Sequence, residues 1–306
     1  MATSANTGAA YLKLSKDLTE NAGTDIAEDA IQRLLTDLSE RKEFNTFATM
    51  DNSGSLFLPG LRLHGAQLFI RNFANPNTEF NRLLISWQTG SGKSIAAISI
   101  GNEFIKQYRQ RSALGEKTPS VFIISFTARE TIQEDMLRYP EFGFISHTEI
   151  EDLRKLRHSA LIAGSASAEA KYLSGYLGVL RRRITDRTRG GFYKFYGYKE
   201  FAFRIFNITR LGELNNFDIQ SLYTRNEDTF GDRLLEAVER GFVRINEPLI
   251  EELRNGLLIA DEIHNVYNIQ EKNNYGIAIQ YILDVLGDEA PHSVFMSATP
   301  MTGSAG

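Results

Sequence analysis

The sequence predicts an α/β fold built on a central, mostly parallel β-sheet. Three apolar stretches support this prediction, because each has the length of a buried strand and each adjoins glycine or polar residues. The stretches are 83–86, 256–261 and 293–297. Since the carboxyl ends of parallel strands lie at one edge of a sheet, we expect the polar groups that follow these strands to form one site.

The composition is that of a globular protein. The chain has 306 residues, of which 42% are hydrophobic and 24% are charged, enough for one large or two ordinary domains. It has no cysteine, which excludes disulfides and thiolate metal sites. No apolar run reaches the roughly 18 residues of a membrane span, and residues 1–10 lack the order of a signal peptide, so we expect an intracellular protein without a membrane partner. The net charge of −4 means that any binding of nucleic acid must depend on a local patch.

The first stretch runs into a glycine-rich turn and then into a helix-like segment at 95–108. Gly90 and Gly92 free the backbone to curl, Lys93 supplies a point charge for phosphates, and Ser94 supplies an oxygen for Mg²⁺. The predicted nucleotide-binding residues are Gln88, Thr89, Gly90, Ser91, Gly92, Lys93 and Ser94. The alternative is a turn that binds nothing, which the register of lysine and serine after a strand disfavours.

A glutamine in the turn of chain before this loop is a second candidate nucleotide contact. Gln67 lies in a helix-like stretch at 61–73, where its amide could read the donor and acceptor edges of adenine. The alternative is a surface glutamine on an amphipathic helix, and both interpretations stay open.

The second and third stretches carry the expected catalytic and coupling groups. After the strand at 256–261, Asp261 would hold Mg²⁺ opposite Ser94, Glu262 would polarise the attacking water, and His264 would sense the γ-phosphate. After the third strand come two coupling candidates, Ser297 and Thr299. Simpler roles stay open, since these hydroxyls could cap a turn and the histidine could be structural.

Two regions are candidates for contact with nucleic acid. One is Arg129, which follows the short buried-type strand at 121–126; a solvated residue at a helix start is the equal alternative. The other is 181–210, where nine Lys or Arg against two Asp or Glu give a local charge of +7, with the candidates Arg181, Arg182 and Arg183. Its interleaved aromatic residues could stack on bases, or they could form a small satellite core with a charged exterior.

The motifs resemble those of a known family. Residues 88–94, 261–264 and 297–299 resemble motifs I, II and III of superfamily 2 helicases, with a second motif of the Asp-Glu-x-His type. The stretches 64–84, 138–144 and 196–201 are similar to the helicase-like ATPases of nucleocytoplasmic large DNA viruses. That group includes the small subunit of the poxvirus-type early transcription factor and nucleoside triphosphate phosphohydrolase I. The similarity spans roughly 61–303.

The resemblance implies a RecA-like three-layer αβα P-loop NTPase domain at 61–306, with an inserted basic and aromatic subregion at about 139–246. Residues 1–60 would form a tail and an amphipathic helix. Two features depart from the family: Gly65 and Ala66 separate His64 from Gln67, where adjacent residues are expected, and the chain ends just past motif III. A second RecA-like domain, which such motors need, is therefore expected to lie outside this chain.

The implied function is that of a nucleic-acid-dependent ATPase in viral transcription, using ATP and Mg²⁺. We expect translocation on, or remodelling of, DNA more than RNA, with viral RNA polymerase or another factor subunit as partner and the host cytoplasm or virion as location. This chain alone is expected to hydrolyse ATP slowly or not at all. The alternative is a nucleotide-switched assembly module that docks RNA polymerase or a factor subunit; a small-molecule kinase is disfavoured by the Ser-Ala-Thr strand.

Overall fold

The computed structural model describes residues 31–33, 35–36, 61, 63–78, 81–88, 90–125, 129–208, 236–268 and 273–298. Most of the predicted N-terminal helix lies outside the described residues, as do Thr89, Thr299 and the turn at 126–128. The helices are α1 Gly65–Phe73, α2 Lys93–Ala113, α3 Arg129–Arg138, α4 His147–Ala163, α5 Ala168–Thr185, α6 Tyr198–Ile205, α7 Glu247–Leu253 and α8 Ile277–Leu286. The strands are β1 Arg82–Ser86, β2 Val121–Ile124, β3 Tyr193–Tyr196, β4 Phe206–Ile208, β5 Val243–Ile245, β6 Leu257–Asp261, β7 Tyr267–Asn268, β8 Asn273–Asn274 and β9 His292–Ser297.

Five of these strands form one parallel sheet in the order β1-β9-β6-β2-β3. β9 therefore lies between the strand that leads into the glycine-rich turn and the strand that ends in Asp261. The predicted α/β fold with a parallel central sheet is confirmed, and the three polar strand ends do share one edge. Two antiparallel pairs, β4–β5 and β7–β8, stand apart from this sheet.

The sheet is covered on both faces, which gives three layers. Successive residues of a strand point to opposite faces, so Val121 and Ile123 of β2 join one core while Phe122 and Ile124 join the other. The first core includes the buried residues of α2 and the second those of α6, α7 and α8. Because the central strands are buried on both sides, they read as continuous apolar runs in the sequence.

The region predicted as a basic and aromatic insert is partly integral to the domain. β3 pairs in parallel with β2 and is an edge strand of the central sheet, so the segment at 139–246 is not wholly an insertion. Six aromatic side chains of the basic stretch 181–210 are core residues, and the interpretation as exposed stacking faces is wrong for these six. Those buried are Phe192, Tyr193, Phe195, Tyr198, Phe201 and Phe206. The core interpretation is the better one, since burying these rings removes large apolar surfaces from water.

Two long antiparallel helices, α4 and α5, form the remainder of this region. Ser146 caps α4 and Ser167 caps α5, each accepting a hydrogen bond from the backbone three residues on. Few of their side chains are buried, and Leu161, Ile162 and Tyr172 are exposed near the turn that joins the helices.

Candidate functional site

The first and second motifs meet in a direct ion pair. Lys93 is the first residue of α2 and Glu262 follows β6, and the Lys93 ammonium donates a hydrogen bond to Glu262 Oε1 at 2.9 Å. The lysine side chain is 10% exposed and the glutamate side chain 25% exposed. The ammonium also lies 3.4 Å from the Trp87 carbonyl oxygen. Two residues 169 positions apart in the chain thus share one site at the carboxyl edge of the sheet.

The glycine-rich turn has the backbone that the sequence suggested. Gly90 and Gly92 have φ angles of 82° and 83°, a left-handed conformation that glycine adopts without steric penalty. Gly92 is the N-cap of α2, and the backbone N–H of Ser91 donates to the Gln88 carbonyl oxygen at 3.2 Å. The N–H groups of the first turn of a helix point outward from its N-terminus, and together with the helix dipole they favour a bound anion.

The side chain of Gln67 is hydrogen-bonded to this turn. Its side-chain amide donates to the Gly92 carbonyl oxygen at 3.1 Å, and its oxygen accepts from the His64 backbone N–H at 2.9 Å. The residue is 3% exposed, so the interpretation as a surface glutamine is wrong. A contact between this amide and adenine stays a prediction.

Glu262 occupies a strained and tightly held position. Its φ of 55° is unusual for a residue with a side chain, and such strain persists only where neighbours hold it. The backbone N–H of Ala298, just after β9, donates to its Oε2 at 3.1 Å. Burial alone raises the pKa of the Glu262 carboxyl, but the hydrogen bonds from Lys93 and Ala298 and the charge of Lys93 outweigh it, so the pKa lies below its ordinary value. The side chain is therefore an anion at neutral pH.

The third motif contacts the second through a histidine. His264 Nδ1 lies 2.9 Å from Ser297 Oγ and 3.3 Å from Glu262 Oε2. Ser297 is buried, and its carbonyl oxygen accepts from the Trp87 backbone N–H at 3.1 Å. His264 therefore lies between the carboxylate of the second motif and Ser297 of the third. The catalytic role of His264 and the coupling role of Ser297 stay predictions. Thr299, the other coupling candidate, is outside the described residues.

The predicted metal ligands fit magnesium in chemical type. Asp261 is the buried last residue of β6, and Ser94 is the second residue of α2. Carboxylate and hydroxyl oxygens suit Mg²⁺, which usually keeps several waters and takes few protein ligands. In the part of the chain that the structure describes, no cluster of three or more acidic, histidine or cysteine side chains could hold a metal unaided. Binding of magnesium by Ser94 and Asp261 stays a prediction.

Tyr198, to which sequence reasoning assigns no role, contacts this site from the opposite side of the sheet. Its hydroxyl donates to the Asp261 carbonyl oxygen at 2.9 Å. The only signal in the sequence is the resemblance of 196–201 to viral ATPases. No periodicity or spacing could reveal this contact, since it joins residues 63 positions apart.

Two of the four basic candidates for nucleic-acid contact are paired with acidic neighbours. Arg183 forms a two-point ion pair with Glu149 at 2.7 and 3.0 Å. Arg181 lies 3.9 Å from Glu130 and 3.8 Å from Glu134. Such pairing leaves these guanidinium groups less able to neutralise phosphates.

Two of the basic candidates remain accessible. Arg182 is exposed on α5 and has no ion pair with any residue that the structure describes. Arg129 is exposed at the first residue of α3. Contact of either residue with nucleic acid stays a prediction.

The sequence of the chain is similar to those of several viral proteins. The chain is 53% identical over 260 residues to the early transcription factor large subunit homolog of several African swine fever virus isolates, covering 81% of this chain and 23% of the relative. It is 27% identical over 273 residues to a protein of Acanthamoeba polyphaga mimivirus whose name describes a candidate ATP-dependent RNA helicase, covering 88% of this chain and 20% of that protein. The chain thus spans about a quarter or less of the length of these relatives.

The resemblance to helicase-like proteins of large DNA viruses is therefore confirmed, although the relative is named for a large rather than a small factor subunit. No family model matches the chain. No solved structure matches it either. Among the described residues, no helix is long and apolar enough to cross a membrane.

Proposed function

From the homology of this RecA-like domain with viral early transcription factor and helicase-like proteins, we propose that it is the ATP-binding first motor domain of a nucleic-acid-dependent ATPase serving viral transcription. The single observation that best supports the proposal is the Lys93–Glu262 contact, because it joins a phosphate-binding loop to a candidate hydrolytic carboxylate. A turn that binds nothing would not need a lysine there. The activity of the whole protein, including movement on DNA, is part of the proposal.

In the proposed reaction each residue of the site has its own role. Nucleotide phosphates draw Lys93 away from Glu262, and the N–H groups at the start of α2 surround the β-phosphate. Glu262 then orients the water whose oxygen attacks the γ-phosphorus, while the bond to the β–γ bridging oxygen breaks and ADP leaves. Ser94 and Asp261 would hold a magnesium ion, and that ion would neutralise part of the charge of the phosphates.

The contacts of the third motif would transmit the state of the site. Glu262 Oε2 accepts a hydrogen bond from the Ala298 backbone N–H and also lies close to His264 Nδ1. When the carboxylate turns towards the water, both contacts must adjust, and Ser297 moves with the histidine that it contacts. We propose that this chain of contacts links hydrolysis to the segment that follows β9. In the whole enzyme, closure against a second motor domain would supply the remaining catalytic arginine.

Nucleotide binding by the 306-residue chain tests the proposal directly. A fluorescent ADP analogue should bind in the presence of Mg²⁺, and Lys93→Ala should weaken binding at least tenfold, since it removes the charge that faces the phosphates. Lys106→Ala is the matched control: this lysine is also on α2 and also pairs with a glutamate at 2.9 Å, but it lies on the exposed surface. Equal binding by all three proteins, or by none, would refute the nucleotide-binding role.

One observation favours the assembly-module alternative as a second candidate function. Six aromatic rings of the stretch 181–210 are buried and Arg181 and Arg183 are paired, so this stretch offers less to nucleic acid than the sequence suggested. The α4–α5 turn instead presents exposed apolar side chains, with Leu161 82% exposed. If the domain binds DNA in a salt-dependent way and Arg182→Ala weakens that binding, the motor ATPase is favoured. If Leu161→Ser loses association with the polymerase or a factor subunit while DNA binding stays intact, the assembly module is favoured.

A further inference from the structure

Tyr198 makes a buried contact with the backbone at the candidate catalytic turn. It is the first residue of α6, directly after β3, and it is 2% exposed. Its hydroxyl donates to the carbonyl oxygen of Asp261 at 2.9 Å. This oxygen belongs to the peptide that joins Asp261 to Glu262, the two acidic residues of the second motif.

That peptide is where the strain of the site is concentrated. Rotation of the Asp261–Glu262 peptide changes the φ of Glu262, which is held at 55°. A left-handed conformation at a residue with a side chain is unfavourable by about 1–2 kcal/mol, so it persists only when surrounding contacts hold it. Asp261 is also the last residue of β6 to pair with β9, opposite Met296, and Glu262 lies beyond the ladder.

The contacts that hold this turn are of two kinds. Lys93 and the Ala298 backbone hold the Glu262 side chain, but in the proposed reaction these contacts change when nucleotide binds. Tyr198 holds the backbone instead, from a helix that packs in the core on the other face of the sheet. Nucleotide phosphates would not displace it, so its contact can persist through the whole cycle.

The tyrosine hydroxyl is a dependable donor in this position. The phenolic hydroxyl of a tyrosine is protonated at neutral pH. It therefore has a hydrogen to donate to the Asp261 carbonyl oxygen, which can only accept. A tyrosine at this place supplies one fixed hydrogen bond to one carbonyl oxygen.

We propose that Tyr198 is a positioning residue for hydrolysis, which orients the Asp261–Glu262 peptide so that the Glu262 carboxylate faces the attacking water. This inference rests on the proposed function, because it assigns to Glu262 the hydrolytic role. It also makes α6 the helix that anchors the catalytic turn. Tyr198 touches no reacting atom and does not take part in the chemical step itself.

Tyr198→Phe removes only the hydroxyl and is the central test. It should be made in the polypeptide that carries both motor domains, with ATP hydrolysis measured in the presence of nucleic acid. We expect kcat to fall roughly tenfold, the change that 1.4 kcal/mol in the barrier produces, while KM for ATP changes less than twofold. A residue that only stabilised the fold would not separate kcat from KM in this way.

Tyr193→Phe is the matched control. Tyr193 is likewise a fully buried tyrosine after the same helical hairpin, and its hydroxyl lies 3.3 Å from the Ile98 carbonyl oxygen, away from the acidic turn. Both variants lose a buried hydrogen bond and should lower the melting temperature by a similar amount. Only Tyr198→Phe should lower kcat. An unchanged kcat in Tyr198→Phe, or an equal loss in both variants, would overturn the inference.

A second measurement on the 306-residue chain does not depend on activity. Amide hydrogen exchange at 262–266 should be at least fivefold faster in Tyr198→Phe than in the unmodified chain, and unchanged in Tyr193→Phe. If the unmodified two-domain polypeptide and its Lys93→Ala variant hydrolyse ATP equally poorly, the proposed function fails. Equal amide exchange at 262–266 in both tyrosine variants would separately refute the positioning role of Tyr198.

Discussion

The ion pair between Lys93 and Glu262 makes an unusual prediction about nucleotide affinity. In the structure, the lysine that we propose binds phosphates forms an ion pair with the Glu262 carboxylate at 2.9 Å. Nucleotide must therefore compete with Glu262 for the ammonium. Glu262→Gln keeps the size and hydrogen-bonding ability of the side chain but removes its charge. We expect this variant to bind nucleotide more tightly than the unmodified protein while losing turnover.

The magnitude follows from the geometry of the pair. At 2.9 Å and an effective dielectric constant of about 20, the attraction between the charges is roughly 6 kcal/mol before desolvation is subtracted. Both side chains are largely buried, so desolvation offsets most of this. A hydrogen bond to a charged group contributes about 1 kcal/mol more than a neutral one, so the substitution should weaken the pair by about that amount. This corresponds to about fivefold tighter binding.

Isothermal titration with MgADP measures this effect, and the same substitution serves for steady-state hydrolysis in the two-domain polypeptide. Turnover should fall by about 10²–10⁴, the usual contribution of a group that positions or activates water. Glu103→Gln is the control, because Glu103 also binds a lysine of α2 at 2.9 Å, but on the exposed surface; its affinity for MgADP should not change. Binding by Glu262→Gln that is equal to, or weaker than, that of the unmodified protein would show that Lys93 is not held back by the carboxylate.

Other predictions concern the glycine-rich turn and the helical hairpin. Gly92→Ala should weaken MgADP binding more than Gly90→Ala. Both glycines have a positive φ, but only at Gly92 would the new methyl group meet a neighbour, the Gln67 amide at 2.4 Å. Titration of both variants with MgADP measures the difference, and equal losses of affinity would contradict the prediction. Arg183→Ala should lower the melting temperature, since it removes the two-point ion pair with Glu149, and an unchanged transition in a thermal scan would count against a structural role. The hydrogen bond from Arg183, with those from Ser146, lowers the pKa of Glu149 from 4.5 to about 2, so its stabilising effect is complete above about pH 4.5 and is lost as the pH falls towards 2. Glu149→Gln should flatten the acid-unfolding curve in that interval, and identical curves for both proteins would disprove the assignment.

Much of the core of this site could be predicted from local sequence. The turn at Gly90–Ser94 and the acidic pair Asp261–Glu262 are short motifs whose residue types follow from phosphate and metal chemistry. The parallel sheet follows from apolar strands buried on both faces. The expectation that three strand ends share an edge needed only the rule that parallel strands deliver their ends together.

The region at 139–246 was predicted less well, because composition does not reveal which face of a side chain meets water. Rings such as Phe195 and Phe201 lie among basic residues in the sequence but pack inward in the fold. The local charge of +7 likewise did not reveal that Arg183 forms an ion pair with Glu149, since ion pairs between distant segments depend on how those segments pack.

The chain's sequence by itself determined which chemical groups are available and on which kind of element each one lies. Only the tertiary structure decided how they pair. Lys93 forms an ion pair with Glu262, the Gln67 amide donates to the Gly92 carbonyl oxygen, and the Tyr198 hydroxyl donates to the Asp261 carbonyl oxygen. The physical reason is that a motif is set by neighbours along the chain, whereas these contacts join residues 25 to 169 positions apart. Distances across such separations are fixed by the order of strands in the sheet and by the packing of helices on its two faces.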